Sequence, residues 1–456
     1  MFSLDDTIAA IATPLGAGGV GIVKLSGAEA LPIVRQIFRP LHELKKFKPR
    51  YLHFGHIVRP ETGQPVDEVL VAYMPSPHSY TRQDVVEIQA HSGIVPLQTI
   101  LHLVLSLGAR LAEPGELTLR AFLNGRLDLT QAEAVLDVIQ AKTEAGLRLA
   151  AQQLGGVLSS QVSQVRQKLV HVLAYLEATI DFVDEDIPLE DVTPSLQEAL
   201  AETKKLIATA AQGLIYRQGV RAAIVGKPNV GKSSLLNALL RGERAIVTAI
   251  PGTTRDTLEE TANLGGIPLV LVDTAGIRTR ASDLVEQIGI ERSRAALAQA
   301  DLALLVVDRS QELTEADWEI ERLVRGKPAL LVLNKADLPQ SQLIPAPFLP
   351  DAIRVSMSAL TGQGLDDLET TIISQITGGE VVTADTPLVS NPRHKALLIR
   401  AVEHTQTAIQ AQRERLSPDL VSIDVREAVD ALGQITGETA TEDLLNAIFS
   451  KFCIGK

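Results

Sequence analysis

The chain has 456 residues, of which 45% are hydrophobic, 21% charged and 3% aromatic, and its formal net charge is −12. This composition is typical of a globular protein of about three domains with a mainly aliphatic core. A single cysteine excludes an intrachain disulfide framework, and no apolar run reaches the roughly 18 residues of a membrane span. The first residues, Met1–Asp6, carry two aspartates and no basic residue, so we expect no secretory signal and a soluble, cytoplasmic protein.

Residues 1–120 alternate strand patterns with turns and predict a small α+β domain. The glycine-rich link at 14–19 lacks a lysine of the phosphate-binding kind and is not interpreted as a nucleotide site. The predicted strands are Thr7–Ala12, Val20–Leu25, Val69–Tyr73 and Asp84–Gln89, and the predicted helices are Ala28–Phe38 and Ile94–Leu107.

The nearest approach to a basic surface is the run from Arg35 to Arg50, which includes Lys45, Lys46 and Lys48. A protein that binds RNA by itself usually has a basic face, and this acidic chain shows none in bulk. We interpret the run as a solvated loop, because short basic clusters usually are. If RNA is a substrate, much of the positive surface must come from a partner.

From Leu129 onward the apolar residues recur at helical spacing. Helices on both sides of a self-contained α/β unit predict that this unit is inserted in a helical domain, and four domains in a row are the alternative. Gly155–Gly156 is expected to interrupt the run, the acidic stretch Asp181–Asp186 to end it, and Gly378, Gly379 and Pro387 to mark a later boundary. The predicted helical segments are 129–139, 154–180, 196–214, 394–416 and 441–449.

The clearest functional motif is GKPNVGKSS at 226–234, which matches the phosphate-binding pattern G-x-x-x-x-G-K-S. An apolar strand, Val220–Val225, leads into it, and a helix over Ser234–Leu240 leads out. Glycines let the loop turn its N–H groups inward at the helix N-terminus, where a phosphate is favoured. We expect Lys232 to reach the β- and γ-phosphates and the Ser233 hydroxyl to ligate Mg²⁺.

Four further apolar segments predict buried strands, and three of them lead into polar motifs. The segments are Pro268–Val272, Asp301–Val307, Ala329–Leu333 and Ile353–Val355, and the motifs are Asp273–Gly276, Asn334–Asp337 and Ser358–Leu360. The Asp273 carboxylate can hold Mg²⁺ from the far side. Asp337 can accept two hydrogen bonds from guanine, and adenine offers no such donor pair, which opposes a plain ATPase. In this order the blocks resemble the GTPase family of P-loop proteins over about residues 217–377.

Three more stretches go beyond a generic GTPase: GGVGI at 18–22, EPGELT at 113–118 running into RAFLNGRLDL at 120–129, and FCIGK at 452–456. Together with the GTPase blocks they closely resemble the tRNA-modification GTPase family MnmE, also called TrmE, over the full length. The resemblance implies an α/β P-loop GTPase domain inserted in an all-α helical domain and preceded by an α+β N-terminal domain. The domains that the resemblance implies are a folate-binding and dimerisation domain at 1–120, a helical domain in two parts at 121–215 and 379–456, and the GTPase domain at 216–378.

The same resemblance implies a K⁺-activated GTPase that works with the FAD-dependent partner MnmG. Together they would place a carboxymethylaminomethyl group on the wobble uridine of certain tRNAs. The one-carbon donor would be a reduced folate, 5-formyl- or methylene-tetrahydrofolate. The implied assembly is a homodimer that forms a heterotetramer with MnmG, which would hold much of the tRNA.

By resemblance, the folate contacts fall on Lys24, Glu87, Arg126 and Lys456. Arginine at 24 and lysine at 126 are the commoner family forms, so charge is kept here while the planar geometry is not equivalent. The predicted GTP contacts are Asn229, Val230, Gly231, Lys232, Ser233, Ser234, Thr248, Ala249, Ile250, Pro251, Gly252, Thr253, Thr254, Asp273, Thr274, Ala275, Gly276, Asn334, Lys335, Asp337, Ser358, Ala359 and Leu360.

GTP hydrolysis needs an oriented water and neutralisation of charge at the γ-phosphate. Ras-like proteins carry glutamine after the Asp-x-x-Gly block, but this chain has the apolar Ile277 there. The resemblance points to Glu286 for the water, with a solvated helical glutamate as the alternative. It implies Thr254 as the second Mg²⁺ ligand, and Arg255 is an alternative arginine finger. The implied K⁺ ligands are the Asn229 side chain and the carbonyl groups of Thr248, Ile250 and Thr253.

The only thiol, Cys453, has two interpretations that stay open. A lone cysteine is usually a small buried hydrophobe. A thiolate near Lys456 could instead be activated for chemistry on the uridine or the one-carbon unit. A different function for the whole chain, a GTP-switched ribosome-assembly or RNA-binding protein, would require an added RNA-binding module or a second GTPase domain. We see neither in the sequence.

Overall fold

The computed structural model describes residues 5–182, 190–241, 260–272, 293–341, 344–379 and 389–456. The chain divides into two compact units, each built from separate stretches of sequence. The first unit comprises Met1–Leu136, Gln153–Leu200 and Arg400–Lys456. The second unit comprises Asp137–Gln152 and Ala201–Ile399. The four-part division at residues 120, 215 and 378 stays a prediction.

The strands are β1 (Ile8–Ile11), β2 (Gly18–Ser26), β3 (Phe38–Pro40), β4 (Leu52–Val58), β5 (Pro65–Met74), β6 (Val85–Ser92), β7 (Arg110–Leu111), β8 (Val220–Val225), β9 (Glu260–Leu264), β10 (Ile267–Val272), β11 (Leu302–Asp308), β12 (Ala329–Asn334) and β13 (Ile353–Ser356). The helices are α1 (Ala30–Ile37), α2 (Ile94–Ser106), α3 (Glu116–Leu123), α4 (Leu129–Gln140), α5 (Glu144–Leu154), α6 (Val157–Asp181), α7 (Thr193–Ala208), α8 (Ala210–Gln218), α9 (Lys232–Arg241), α10 (Glu315–Val324), α11 (Leu365–Thr377), α12 (Pro392–Arg413), α13 (Pro418–Thr436) and α14 (Glu442–Phe449).

The N-terminal part of the first unit is a seven-stranded sheet in the order β3-β4-β5-β6-β2-β1-β7. Its β1–β7 pair is parallel, and its other pairs are antiparallel. One face packs on α1 and α2, where Val23 and Leu25 of β2 lie in the same core as Val34 and Ile100. Side chains alternate along a strand, so Lys24 is on the opposite face. There Ile8 and Ala10 of β1 pack with Leu117 and Tyr80.

The helical part of the first unit joins stretches from both sides of the second unit, because α6 packs against α13. The apolar stripe of α6, from Leu158 to Leu176, is buried at helical spacing. The two helices approach closely at Gly433, where a Cβ would lie 2.8 Å from Thr439 Oγ1 and 3.1 Å from Arg166 Nε. Helices distant in sequence thus form one core, which confirms the inserted arrangement over four domains in a row.

The second unit contains a six-stranded sheet in the order β13-β12-β11-β8-β10-β9. Only the edge strand β9 is antiparallel to its neighbour, β10, and the other pairs are parallel. Parallel strands buried on both faces read as continuous apolar runs, as β11 does with LALLVVD. Because β8, β11, β12 and β13 are parallel, their carboxyl ends lie at the same edge of the sheet.

Several predicted elements need correction. The segment 196–214 is two helices, α7 and α8, interrupted at Thr209, whose hydroxyl donates to Leu206 O and accepts from Val389 N. The basic run from Arg35 is a loop only in part, because Arg35 belongs to α1 and Arg39 to β3. The glycine interruption at 155–156 is confirmed, since α5 ends and α6 begins there.

The sequence analysis predicted none of the strands β3, β4, β7 and β9 and none of the helices α3, α5, α10, α11 and α13. A signal for α13 was present: Ser417 lies at its N-cap, Pro418 follows at the first position, and Gly437 ends it in the left-handed conformation. Part of the acidic stretch 181–186, together with Pro387, lies outside the described residues. No described helix is both long and apolar enough to cross a bilayer.

Candidate functional site

The phosphate-binding motif lies between β8 and α9, and its backbone requires glycine at two positions. Gly226 has φ +152°, and a Cβ there would lie 2.4 Å from the carbonyl oxygen of Val306 in β11. Gly231 has φ +99°, and its Cβ would lie 2.1 Å from Asn334 Nδ2. Asn229 also has a left-handed backbone, with φ +62°. A Cβ at either glycine would displace the loop, so the motif is a shaped cradle rather than a chance glycine-rich turn.

Lys232 opens α9 and turns its ammonium group onto the loop that precedes it. Its Nζ donates to the carbonyl oxygens of Gly226 at 2.6 Å and Lys227 at 2.7 Å. Burial lowers the pKa of Lys232 from 10.5 to about 8, because the charged form loses hydration. Ser233 and Ser234 follow in the first turn and are exposed, as is Asn229. A half-buried lysine beside exposed hydroxyls fits a polyanion and its cation.

Asn334 connects the phosphate loop with the loop after β13. Its Nδ2 donates to Val230 O at 2.7 Å, and its Oδ1 accepts from Ala359 N at 2.9 Å. The side chain is 2% exposed, so both hydrogen bonds are shielded from water. Ser358 N donates to Gln363 O at 2.8 Å, whereas Leu360 N makes no hydrogen bond with the residues that the structure describes. Asp337 is exposed three residues after β12.

The sequence analysis missed Asp308, which ends β11 beside Asn334 in the strand register. Its Oδ2 accepts from Lys335 Nζ at 2.6 Å, and its Oδ1 accepts from Ser310 N and Oγ. Burial opposes ionisation, but these hydrogen bonds and the ammonium charge of Lys335 hold the pKa of Asp308 below its usual range. Lys335 has φ +65°, a left-handed conformation that costs energy for a residue with a side chain. The sequence did contain a signal for Asp308, namely a carboxylate directly after the apolar run of a predicted buried strand.

Part of the predicted nucleotide site lies outside the described residues. The members concerned are Thr248, Ala249, Ile250, Pro251, Gly252, Thr253, Thr254, Arg255, Asp273, Thr274, Ala275, Gly276, Ile277 and Glu286. The described members come from three regions of the sequence and meet at one sheet edge, as parallel strands require.

The predicted folate contacts Lys24 and Glu87 are directly opposite each other in the β2–β6 ladder. Lys24 Nζ is 3.1 Å from Glu87 Oε1, and both side chains are about a fifth exposed. Tyr80 joins them to Arg126: Lys24 Nζ lies 5.8 Å and the Arg126 guanidinium carbon 4.6 Å from the centre of its ring. The Tyr80 hydroxyl is 2.9 Å from Thr118 Oγ1 in α3. The structure therefore brings Lys24 and Arg126 to one aromatic side chain, and Glu87 to Lys24.

The C-terminal residues lie against the same sheet. A Cβ at Gly455 would lie 2.5 Å from Ile11 O in β1, the strand paired with β2. Gly115 N is 3.4 Å from Cys453 O, which holds the tail beside the start of α3. Lys456 is exposed, and so is Cys453. The interpretation of Cys453 as a small buried hydrophobe is therefore wrong.

An open cavity of about 620 Å³ borders Arg126. Its lining residues are Pro77, His78, Ser79, Arg82 and Arg126. The sequence analysis singled out only Arg126 among them, because the others carry no motif that can be recognised without the fold.

Two family models match the chain. The model described as "MnmE helical domain" matches residues 129–453, and the one described as "GTP-binding protein TrmE N-terminus" matches residues 7–126. A curated protein from Chloroflexus aurantiacus named tRNA modification GTPase MnmE is 53% identical over 460 residues, covering 99% of this chain and 100% of the relative. Relatives of the same name from Roseiflexus castenholzii and Thermoanaerobacter sp. are 50% and 49% identical, each covering 99% of both chains.

Among solved structures, the G domain of the T. maritima FeoB iron transporter aligns with 34% of this chain and 98% of its own. The identity is 27% and the TM-score is 0.24, which is too low for the likeness to support an inference.

Proposed function

Because this chain belongs to the MnmE (TrmE) family of tRNA-modification GTPases, we propose that it hydrolyses GTP and uses that hydrolysis in the modification of a tRNA wobble uridine. The observation that carries the proposal is the carboxyl edge of the second sheet. There the phosphate loop, Asn334 and the segment after β13 are joined through one buried amide side chain. An edge that unites a phosphate cradle with a base-recognition segment is what a guanine nucleotide needs.

In this proposal each described residue of the edge has a separate task. Lys232 releases the loop carbonyls that it now contacts and binds the β- and γ-phosphate oxygens. Asp337 accepts from the guanine N1–H and exocyclic amine. The Leu360 N–H, unlike that of Ser358 or Ala359, has no partner among the described residues and can donate to the base. Lys335 lies beside the base, held by Asp308.

The cradle fits Mg²⁺ and K⁺ on its described side. Ser233 is exposed at the start of α9, beside a loop whose two glycines keep side chains out, and Asn229 presents its amide from a left-handed backbone. Ser233 and Thr254 would hold Mg²⁺, and Asn229 with the carbonyl groups of Thr248, Ile250 and Thr253 would hold K⁺. When bound at these residues, the two cations would supply positive charge to the phosphate oxygens. Glu286 would orient the attacking water by accepting a hydrogen bond from it.

The modification half of the proposal concerns the first unit. Lys24, Glu87, Arg126 and Lys456 would bind a reduced folate, 5-formyl- or methylene-tetrahydrofolate, that donates one carbon. Support comes from the position of Lys24 and Arg126 at the ring of Tyr80, an aromatic surface suited to a flat heterocycle, and from the pairing of Glu87 with Lys24. The exposed Cys453 is available for covalent chemistry nearby. The proposed assembly is a cytoplasmic homodimer that joins the flavoprotein MnmG, with tRNA held largely by that partner and a carboxymethylaminomethyl group as product.

Mass spectrometry of tRNA nucleosides tests the proposal. A strain that lacks the protein should lose carboxymethylaminomethyluridine derivatives, and the wild-type gene should restore them. Lys232→Ala should fail to restore them at equal protein level, whereas the surface variant Lys205→Ala should succeed. Unchanged tRNA nucleosides together with accumulated ribosomal precursors would overturn the proposal and favour a ribosome-assembly GTPase.

A further inference from the structure

We propose that the cavity beside Arg126 binds the chain of γ-linked glutamates that extends a folate, so that this protein prefers polyglutamylated folates. The inference deepens the proposed function and rests on it, because it assumes a folate at Tyr80. Each γ-linked glutamate adds one carboxylate to the tail, so the ligand is a flexible polyanion attached to a flat heterocycle.

The charge of the cavity favours an anion. Three of its five lining residues, His78, Arg82 and Arg126, can carry positive charge, and none of the five is acidic. The net charge of the chain is −12, so acidic residues outnumber basic ones overall. A group of cationic lining residues without any carboxylate therefore differs from the average composition of the chain. Arg50 adds a further positive charge close to the cavity, because its Nη2 donates to the carbonyl oxygen of His78, one of the lining residues, at 3.2 Å.

The two arginines that line the cavity have guanidinium N–H groups that are not used in hydrogen bonds with the described residues. Arg82 Nη1 donates to Asn124 O at 2.9 Å, which uses one of five guanidinium N–H groups. The Arg126 guanidinium stacks on Tyr80 and makes no hydrogen bond with any residue that the structure describes. Guanidinium groups with unused donors bind carboxylates in a bidentate manner.

Two carboxylates close in sequence to the lining residues, Asp84 and Glu87, form no ion pair with Arg82 or Arg126 among the described residues. Asp84 accepts from the Tyr73 hydroxyl at 2.9 Å and from Ser76 N at 2.8 Å. Glu87 pairs with Lys24. The positive charge of Arg82 and Arg126 is therefore left for a ligand.

Position and size connect the cavity with the proposed folate site. Arg126 both lines the cavity and lies 4.6 Å from the centre of the Tyr80 ring, so the cavity adjoins the proposed folate site through this one side chain. A volume of about 620 Å³ is within the range of roughly 300–1,000 Å³ typical of small-molecule sites. It accommodates a few glutamyl units.

A phosphate backbone of RNA is a second polyanion that could approach the same arginines. Proteins that bind RNA through phosphates present a broad basic face. Here the cations border one concave site that adjoins an aromatic ring, on a chain that is acidic as a whole. The observations favour the carboxylate tail, and the tRNA alternative becomes an outcome of the test.

Isothermal titration of the full-length protein with 5-formyltetrahydrofolate carrying one glutamate or four tests the inference. We expect the tetraglutamate to bind about tenfold more tightly, because two or three exposed ion pairs together contribute roughly that factor. Arg82→Gln should remove most of this preference. Arg59→Gln, which removes the same charge at the exposed residue that follows β4, should retain it, and addition of salt should weaken the preference.

The outcomes separate the inference from the proposed function. Equal affinity for both ligands would overturn the inference and leave the folate site standing. Binding of neither ligand would overturn both. A normal preference in Arg82→Gln, or weaker retention of tRNA in that variant without a change in folate preference, would also overturn the inference, the latter in favour of RNA phosphate.

Discussion

In this structure Lys232 Nζ donates to two carbonyl oxygens of its own loop, and partial burial of the side chain opposes its charge because the ammonium group loses hydration. Triphosphate binding requires the charged form, since an ammonium group attracts phosphate oxygens and an amine does not. A lysine with its pKa lowered to about 8 is therefore partly deprotonated within an accessible pH range. Nucleotide binding restores the proton.

We predict that the affinity for GTP falls above about pH 8, by at most about tenfold for each pH unit, because one proton is taken up on binding. Titration with a fluorescent GTP analogue between pH 7 and 9.5 measures this. Lys232→Arg stays charged in this range, so it should lose the pH dependence whatever its absolute affinity. An affinity that stays constant to pH 9.5 would contradict the assignment.

The same shift of the Lys232 pKa predicts that the unfolding free energy of nucleotide-free protein rises between about pH 8 and 10.5, because the unfolded state then binds more protons.

Asp337 is expected to set base specificity. A site built for guanine donors should reject adenine by roughly 10⁴-fold, because its polar groups would be left unpaired. Asp337→Asn should weaken GTP binding and favour xanthosine triphosphate, whose base carries a carbonyl in place of the amine. Competition among the three nucleotides on both proteins measures the effect. Equal affinity of the wild type for ATP and GTP would eliminate this role.

At the scale of elements, the ion pair between Asp308 and Lys335 fastens the end of β11 to the loop that follows β12. Asp308 is 2% exposed, so the carboxylate depends on its hydrogen bonds for solvation. Lys335, in turn, is held in a left-handed backbone conformation. The pair thus holds the loop that we propose recognises the base, although neither group needs to contact a phosphate.

Replacement of Asp308 with Asn should weaken GTP binding roughly tenfold or more, as expected when a hydrogen bond to a charged group is lost. The loss should be similar for GTP and GDP, because the loop contacts the base. Ser310→Ala, which removes another hydrogen bond of the same carboxylate, is the matched control and should have a smaller effect. If both variants bind guanine nucleotides as the wild type does, the pair is only structural.

At the scale of the whole molecule, the nucleotide residues lie in the second unit and the proposed modification residues in the first. The first unit is assembled from stretches on both sides of the second, and α6 and α13 hold it together. Each unit has its own core. The two chemistries can therefore be damaged separately.

Potassium should stimulate hydrolysis, with the GTPase domains pairing across a dimer. The reasons are the apolar Ile277 where a glutamine would orient water and the exposed amide of Asn229 in the phosphate loop. Na⁺ is smaller and should fit the cage less well. Turnover in matched KCl and NaCl buffers measures the effect, and Asn229→Ala should abolish it while nucleotide binding is retained. Identical rates in the two salts would refute this proposal.

The separation of units predicts that two variants differ in GTP hydrolysis. Cys453→Ser changes volume little at an exposed site, so we expect near-normal GTP hydrolysis and loss of tRNA modification. Glu286→Ala should bind GTP and hydrolyse it slower by a factor on the order of 10² or more, as when a water-orienting group is removed. It should also lose modification if hydrolysis drives assembly of the site. Both activities are measured with the flavoprotein partner present, and normal modification by Cys453→Ser would show that the thiol has no chemical role.

The sequence by itself determined the parts of this protein whose chemistry is contiguous. The phosphate loop and the strands that lead into its motifs follow from local spacing, because a loop that binds phosphate with backbone N–H groups must be one short segment. The helix interruption at 155–156 was also visible in the sequence, whereas the one at Thr209 was not. The inserted arrangement was also predictable, since helical periodicity on both sides of an α/β unit is visible along the chain.

Only the tertiary structure decided which distant residues meet. Lys24 is opposite Glu87 because of the β2–β6 register, Asp308 contacts Lys335 because β11 and β12 pair in parallel, and the cavity at Arg82 exists because the loop before β6 passes beside the end of α3. Strand pairing depends on the packing of whole faces rather than on the residues that end up in contact. Local pattern therefore predicts that a polar residue ends a strand, and the fold alone decides its partner.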